Sequence, residues 1–197
     1  MAIVVEKYSA HTLESVVTVL ADAFVTNPLH VSAFGSQQIE PNRLFFRIGL
    51  REMFRGEAYV ALKNGEIRAY AHLSFSPHCL PAPEALPRAM VPLLKALGSA
   101  GPRLMQWFAR WCRLDPDRPH LHLGPIGVSP EAQRQGLGSA LMHRYLDRLG
   151  QEKLHGYLET DRPENVNFYE KFGFVVIHQE EVIGAPTWYM WRPKQEA

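Results

Sequence analysis

Cysteine is scarce in this chain, with Cys79 and Cys112 the two among 197 residues. Two thiols are too few for a disulfide framework, and neither stands at a metal-ligand spacing. Long apolar runs are missing as well. None approaches the ~20 residues that a membrane span needs. Neither sign of charge dominates, since 21 Lys plus Arg against 20 Asp plus Glu leave a net charge of +1. That balance gives no electrostatic footprint for nucleic acid or for an anionic membrane surface. Met1 to Lys7 lack a basic stretch followed by a long apolar core, so they do not read as a signal peptide. A reduced, cytoplasmic protein without nucleic-acid or membrane partners is expected, organised as one domain over residues 1–197.

Two familiar phosphate signatures are also absent. Gln133-Arg134-Gln135-Gly136-Leu137-Gly138 lies between an apolar strand, His120 to Val128, and a helix marked by Leu137, Leu141, Tyr145 and Leu149. A strand that feeds a glycine loop opening a helix can bind phosphate. The first N–H groups of the helix are free, and the helix dipole favours negative charge. A Walker loop needs Lys-Ser or Lys-Thr after its second glycine, and here Ser139-Ala140 follows Gly138. A dinucleotide fingerprint needs three glycines early in a βαβ unit. On these six residues alone, a pyrophosphate site and a plain tight helix start both stay open.

A second motif follows about thirty residues on. Tyr157-Leu158-Glu159-Thr160 reads as a strand, and Asp161 to Glu164 as a turn into a short helix. In that helix Asn165 and Tyr169 share one face, and Gly173 closes it before Phe174. The Q-x-x-G-x-G loop followed by N-x-x-x-Y-x-x-x-G-F resembles the GNAT N-acetyltransferase superfamily. From about His120 onward the chain is also similar to puromycin N-acetyltransferases, through Gly127-Val128-Ser129-Pro130, Leu158-Glu159-Thr160, Phe168-Tyr169-Glu170 and Thr187-Trp188.

The resemblance implies an α/β GNAT fold. Its central mixed, twisted sheet would have six to seven strands flanked by helices, splayed between the cofactor strand and its parallel neighbour. Ile3 to Tyr8 suits a first strand, and Thr12 to Phe24 a helix ended by Asn27-Pro28. Pro41 to Phe54 suits a second helix, and Asn64-Gly65 a hairpin turn between Ala58–Lys63 and Ile67–Ser76. Residues 77–119 form an insertion before the cofactor strand. Pro77, Pro81, Pro83, Pro87 and Pro92 argue against long regular helices there before Gly101. From Pro102 to Arg113, Leu104, Trp107, Phe108 and Trp111 make a helical stripe that either packs on the sheet or walls an acceptor pocket. Val175–Val182 and Thr187–Arg192 suit two closing strands.

The resemblance also implies acetyl-CoA as cosubstrate. Its pantetheine arm would pair with the backbone of Ile126, Gly127 and Val128, in a gap opened by a bulge at Gly124-Pro125. Its pyrophosphate would meet the amides of Arg134, Gln135, Gly136, Leu137, Gly138 and Ser139, with the side chains of Gln133 and Arg134 adding to them. A solvated surface charge is the alternative for Arg134. Tyr169 is the expected acid for the leaving thiolate, because its phenol can donate to sulfur and its pKa lies near that of a thiol. Asn165 either bonds the pantetheine or caps its helix.

Two residues compete for the base. His122 occupies the cofactor strand where a glutamate base sits in some histone-type members. Glu159, at the end of the neighbouring strand, is the rival base or the anchor for a cationic amine. His120 and His122 share a strand face, but no further ligand stands at metal-binding spacing, so no metal is expected. Neither cysteine falls in the motifs, which favours direct attack in a ternary complex over a cysteine acyl-enzyme. The expected function is acetylation of a primary amine on a small molecule. A non-catalytic acyl-CoA-binding module and a protein N-terminal or lysine acetyltransferase are the alternatives. A homodimer stays open.

Overall fold

In the computed structural model, which describes residues 2–194, seven strands form one sheet in the order β1-β2-β3-β4-β5-β7-β6. The chain runs β1 (Ile3–Lys7), α1 (Leu13–Phe24), α2 (Pro28–Phe34), α3 (Ile39–Ile48), β2 (Glu57–Lys63) and β3 (Glu66–Phe75). It continues through α4 (Leu86–Leu97), α5 (Gly101–Leu114), β4 (His120–Val128), α6 (Leu137–Glu152) and β5 (His155–Thr160). Then follow α7 (Pro163–Glu170), β6 (Val175–Val182) and β7 (Ala185–Arg192). Every neighbouring pair is antiparallel except β4 with β5.

The helices bury the stripes their periodicity dictates. On one face of the sheet, Leu137, Leu141, Met142, Tyr145 and Leu149 of α6 enter a core with Leu121, Leu123 and Leu158. The Tyr145 hydroxyl donates to the Leu121 carbonyl at 2.6 Å, so this buried phenol is satisfied. On the other face, Val16 and Leu20 of α1 pack with Phe46, Val60 and Tyr70. Each fully buried side chain of this size contributes about 1.5–3 kcal/mol.

The parallel pairing is short, and that shapes the site. β4 and β5 are registered through His120↔His155, Leu121↔Gly156 and His122↔Tyr157. Beyond that point β4 stays with β3, pairing Ile126, Gly127 and Val128 with Ala71, Tyr70 and Ala69. β5 stays instead with β7, pairing Leu158, Glu159 and Thr160 with Met190, Tyr189 and Trp188. A gap opens between the two strands. The β3–β4 register shifts so that Gly124 and Pro125 fall between the pairs Leu73↔Leu123 and Ala71↔Ile126. Proline suits this bulge because it has no N–H to offer a ladder. Gly127 is needed for another reason: a Cβ there would come within 3.0 Å of Leu20 and 3.2 Å of Ala23 on α1.

Three elements differ from the sequence expectation. Asn27-Pro28 does end α1, but it also starts α2, with the Asn27 side chain accepting from the His30 amide at 3.2 Å and Pro28 in the first turn. The helix expected over Pro41–Phe54 begins at Ile39 and passes into a π-helical turn at Gly49–Met53. The proline argument fails at α4, which runs twelve residues. Pro87 sits in its first turn, where no hydrogen bond is lost, and Pro92 alone is interior. Ala89, Met90 and Leu93 hold the helix by burial, Met90 and Leu93 packing with Leu104 of α5.

Candidate active site

The splay opens into a cavity lined on the strand side by His122, Leu123, Gly124, Pro125 and Ile126 of β4 and by Glu159 and Thr160 of β5. Asn165 and Tyr169 of α7 line the same space. So do Leu104, Trp107, Phe108 and Trp111 of α5, which therefore wall the cavity. Leu104 and Trp107 also pack with Met90 and Leu93 of α4, and Trp107 packs against Val182 and Ala185 of β6 and β7, so at that residue the stripe rests on the sheet as well. Phe24, His30, Phe45 and Phe46 from the three N-terminal helices also line the cavity.

The glycine loop has the geometry of an anion site. Arg134 and Gly136 take the left-handed backbone, at φ +59° and +90°, and α6 starts directly after Gly136. The first hydrogen bond of that helix runs from the Ala140 amide to the Gly136 carbonyl at 2.9 Å. Among the described residues, the amides from Arg134 to Ser139 donate to no protein acceptor. Six free donors at the N-terminus of a sixteen-residue helix suit a pyrophosphate. The Gln133 side chain spans the joint instead, donating to the Val128 carbonyl at 3.3 Å. Gln135 turns its side chain outward, bonded to Lys63 and to the Glu131 carbonyl, so it offers the loop its amide.

Tyr169 is 5% exposed, and burial raises its pKa above the ordinary phenol value, with Asp161 adding to the shift. It therefore keeps its proton through neutral pH. Its hydroxyl makes no hydrogen bond to another described residue, and the side chain lines the cavity. Asn165 is not a cap. It lies inside the first turn of α7, where Arg162 is the capping position, and its side chain donates to Thr160 Oγ1 at 3.1 Å.

His122 and Glu159 meet across the start of the gap, with Nε2 2.7 Å from Oε2. His122 is 3% exposed. Burial alone would lower its pKa, but the Glu159 carboxylate and the Cys79 sulfur outweigh it and push the value up to about 10. The other ring nitrogen, Nδ1, lies 3.7 Å from Asp115 Oδ1. Glu159 reaches farther out, with its side chain 20% exposed, and its Oε1 has no partner among the described residues.

Sequence reading missed two parts of this site. Cys79 and Asp115 join His120 and His122 in one buried cluster, although no local spacing links the four. Asp161 is the other. Its carboxylate accepts from the Asn27 side chain at 2.6 Å and the Leu29 amide at 2.7 Å, which ties α2 to the end of β5. Both depend on residues more than thirty positions apart, so periodicity and spacing carry no signal for them.

The same architecture recurs in known proteins. A structure described as histone acetyltransferase HPA2 and related acetyltransferase from Corynebacterium glutamicum superposes with a TM-score of 0.78 at 22% identity, covering 100% of this chain and 99% of that one. A second, the PaiA N-acetyltransferase of Thermoplasma acidophilum in complex with coenzyme A, gives 0.59 at 12% identity over 98% and 99%. The ribosomal-protein-S18-alanine N-acetyltransferase of Escherichia coli gives 0.58 at 15% identity over 100% and 96%. Among curated proteins, the mycothiol acetyltransferase of Paenarthrobacter aurescens is 38% identical over 72 residues, 33% of this chain and 22% of that protein's length. The chain thus spans about a fifth of that relative, and none of these four is a puromycin enzyme. The family model described as the acetyltransferase (GNAT) family matches residues 27–174. The chain belongs to the GNAT acetyltransferase family.

Proposed function

We propose that this chain acetylates the primary amine of a small molecule, with acetyl-CoA as donor, by direct attack in a ternary complex. One observation carries the reading. Tyr169 on α7 and Glu159 on β5, the latter with one unpartnered carboxylate oxygen among the described residues, line the same splayed cavity. Acetyl-CoA supplies an activated thioester. The free amides of Arg134 to Ser139 hold its pyrophosphate, and the open backbone edge of Ile126 to Val128 receives its pantetheine.

Glu159 takes the ammonium proton. Its Oε1 has no partner among the described residues, whereas His122 Nε2 is bonded to Glu159 and Nδ1 faces Asp115 from 3.7 Å. His122 is then a positioning residue that fixes the carboxylate by donating from Nε2. Tyr169 donates a hydrogen bond to the sulfur as negative charge grows there. With its pKa raised above that of a thiol, it stabilises the thiolate better than it protonates it outright.

The aromatic wall from α5 supports a small acceptor, because Trp107, Phe108 and Trp111 give the cavity that the splay opens a large apolar lining. The small-molecule name of the mycothiol acetyltransferase relative points the same way. The acetylated acceptor and its rate test the reading. A panel of small primary amines and an alanine-starting peptide are compared for acetyl-CoA-dependent product by mass spectrometry. Acetylation confined to the peptide would reverse the choice of substrate class. Binding of acetyl-CoA without turnover on either would favour a regulatory module.

A further inference from the structure

We propose that Cys79, Asp115, His120 and His122 bind a structural zinc ion behind the active site. The four come from three separate segments: the loop after β3, the link from α5 to β4, and β4 itself. Their donor atoms all lie within 4.8 Å of one another. Asp115 Oδ1 is 3.4 Å from His120 Nε2 and 3.7 Å from His122 Nδ1, and Cys79 Sγ is 3.4 Å from His120 Nε2. A tetrahedral zinc with ordinary bond lengths separates such ligands by about 3.3–3.6 Å. The cluster already has the size of a coordination shell.

The surroundings prepare each atom for a metal. The outward nitrogen of His120, Nδ1, is 2.7 Å from the Arg118 carbonyl, and that of His122, Nε2, is 2.7 Å from Glu159. When each outer nitrogen donates to its acceptor, the inner nitrogen is left with a lone pair. Zinc-binding histidines are oriented in this way by carbonyl and carboxylate partners. Asp115 Oδ1 is buried without a hydrogen-bond partner among the described residues, a costly state that a cation relieves. Cys79, His120 and His122 are each at most 4% exposed, which leaves no open ligand position and marks the site as structural.

Charge and softness select the ion. One thiolate, one carboxylate and two neutral imidazoles balance a divalent charge, and a thiolate with imidazoles favours zinc over magnesium or calcium. Binding takes Cys79 as a thiolate and each imidazole with its inner nitrogen deprotonated, and the protons displaced from these groups go to solvent. The bound ion would pin the start of β4 to the insertion, and through His122 it would fix Glu159 on the far side of the ring. The zinc assignment itself does not depend on which amine is acetylated.

The test uses untagged, full-length protein. Elemental analysis is expected to find about one zinc per chain, either as purified or after adding zinc chloride to chelator-stripped protein. Cobalt chloride added to stripped protein is expected to give the visible bands of tetrahedral cobalt with a thiolate charge-transfer band. Cys79→Ser should abolish that band and Cys112→Ser should leave it intact. Asp115→Asn should weaken zinc at least tenfold in competition with a chromogenic chelator. Substoichiometric zinc with no cobalt spectrum in the wild-type protein would overturn the proposal. So would a cobalt spectrum that survives Cys79→Ser but is lost in Cys112→Ser.

Discussion

His122 Nε2 and Glu159 Oε2 stand 2.7 Å apart on parallel neighbours, at the point where those strands cease to pair. The last registered pair is His122↔Tyr157, so Glu159 lies two residues beyond it, on a strand already turning away with β7. The contact closes the base of the gap and holds the carboxylate in place. Glu159→Gln keeps the size of the side chain and removes its capacity to take a proton. Its kcat is expected to fall about 10²-fold or more, while the Kd for acetyl-CoA stays within about twofold. Rates of CoA release and calorimetric titration check the two halves separately.

Tyr169→Phe separates a chemical role from a packing role. The hydroxyl makes no bond to another described residue and its side chain lines the cavity, so its loss should change stability by less than about 1 kcal/mol. Loss of a hydrogen bond to the thiolate should nevertheless lower kcat by about 10²-fold. A variant with an unchanged rate and a lowered Tm would make this tyrosine a structural residue.

Gly136 sits at φ +90°, and a side chain there is strained whatever the space around it. Gly136→Ala is expected to raise the Kd for acetyl-CoA at least tenfold, read by calorimetry. Gly127→Ala tests packing instead. Its Cβ would press on Leu20 and Ala23, at an expected cost of about 1–3 kcal/mol in urea unfolding.

Stability is expected to fall on the acid side through His30. This imidazole is 3% exposed among Phe24, Phe45, Phe46 and Trp107, and burial, opposed by its bond to Asn42, lowers its pKa to about 3. As pH falls below about 6.5 the unfolded chain takes up the proton and the folded chain does not. The contribution is therefore complete above pH 6.5 and is lost as pH falls toward 3. His72, lowered to about 4 mainly by burial, acts in the same direction. His30→Gln should reduce the slope of unfolding free energy against pH by about 1.4 kcal/mol per unit between pH 6 and 4.

The legible parts were those written in local patterns. The hairpin at Asn64-Gly65, the stripe of α6, the glycine loop and the Asn165–Tyr169 helix each depend on neighbours within a few residues, and all appear at or near the expected positions. The bulge at Gly124-Pro125 was legible because proline restricts where a strand can pair. α4 was missed because burial of Met90 and Leu93 outweighs one interior proline. Asn165 was ambiguous because capping depends on a helix boundary that shifts by a residue or two. The Asp161 clamp and the Cys79–Asp115–His120–His122 cluster were invisible because their members meet only once the sheet has formed.

The central claim is tested most directly by following acetyl-CoA with a panel of small primary amines, wild-type protein beside Glu159→Gln and Tyr169→Phe. The account predicts an N-acetylated small molecule formed one-for-one with CoA, and both variants slowed about 10²-fold with acetyl-CoA binding retained. Turnover by both variants at the wild-type rate would contradict it.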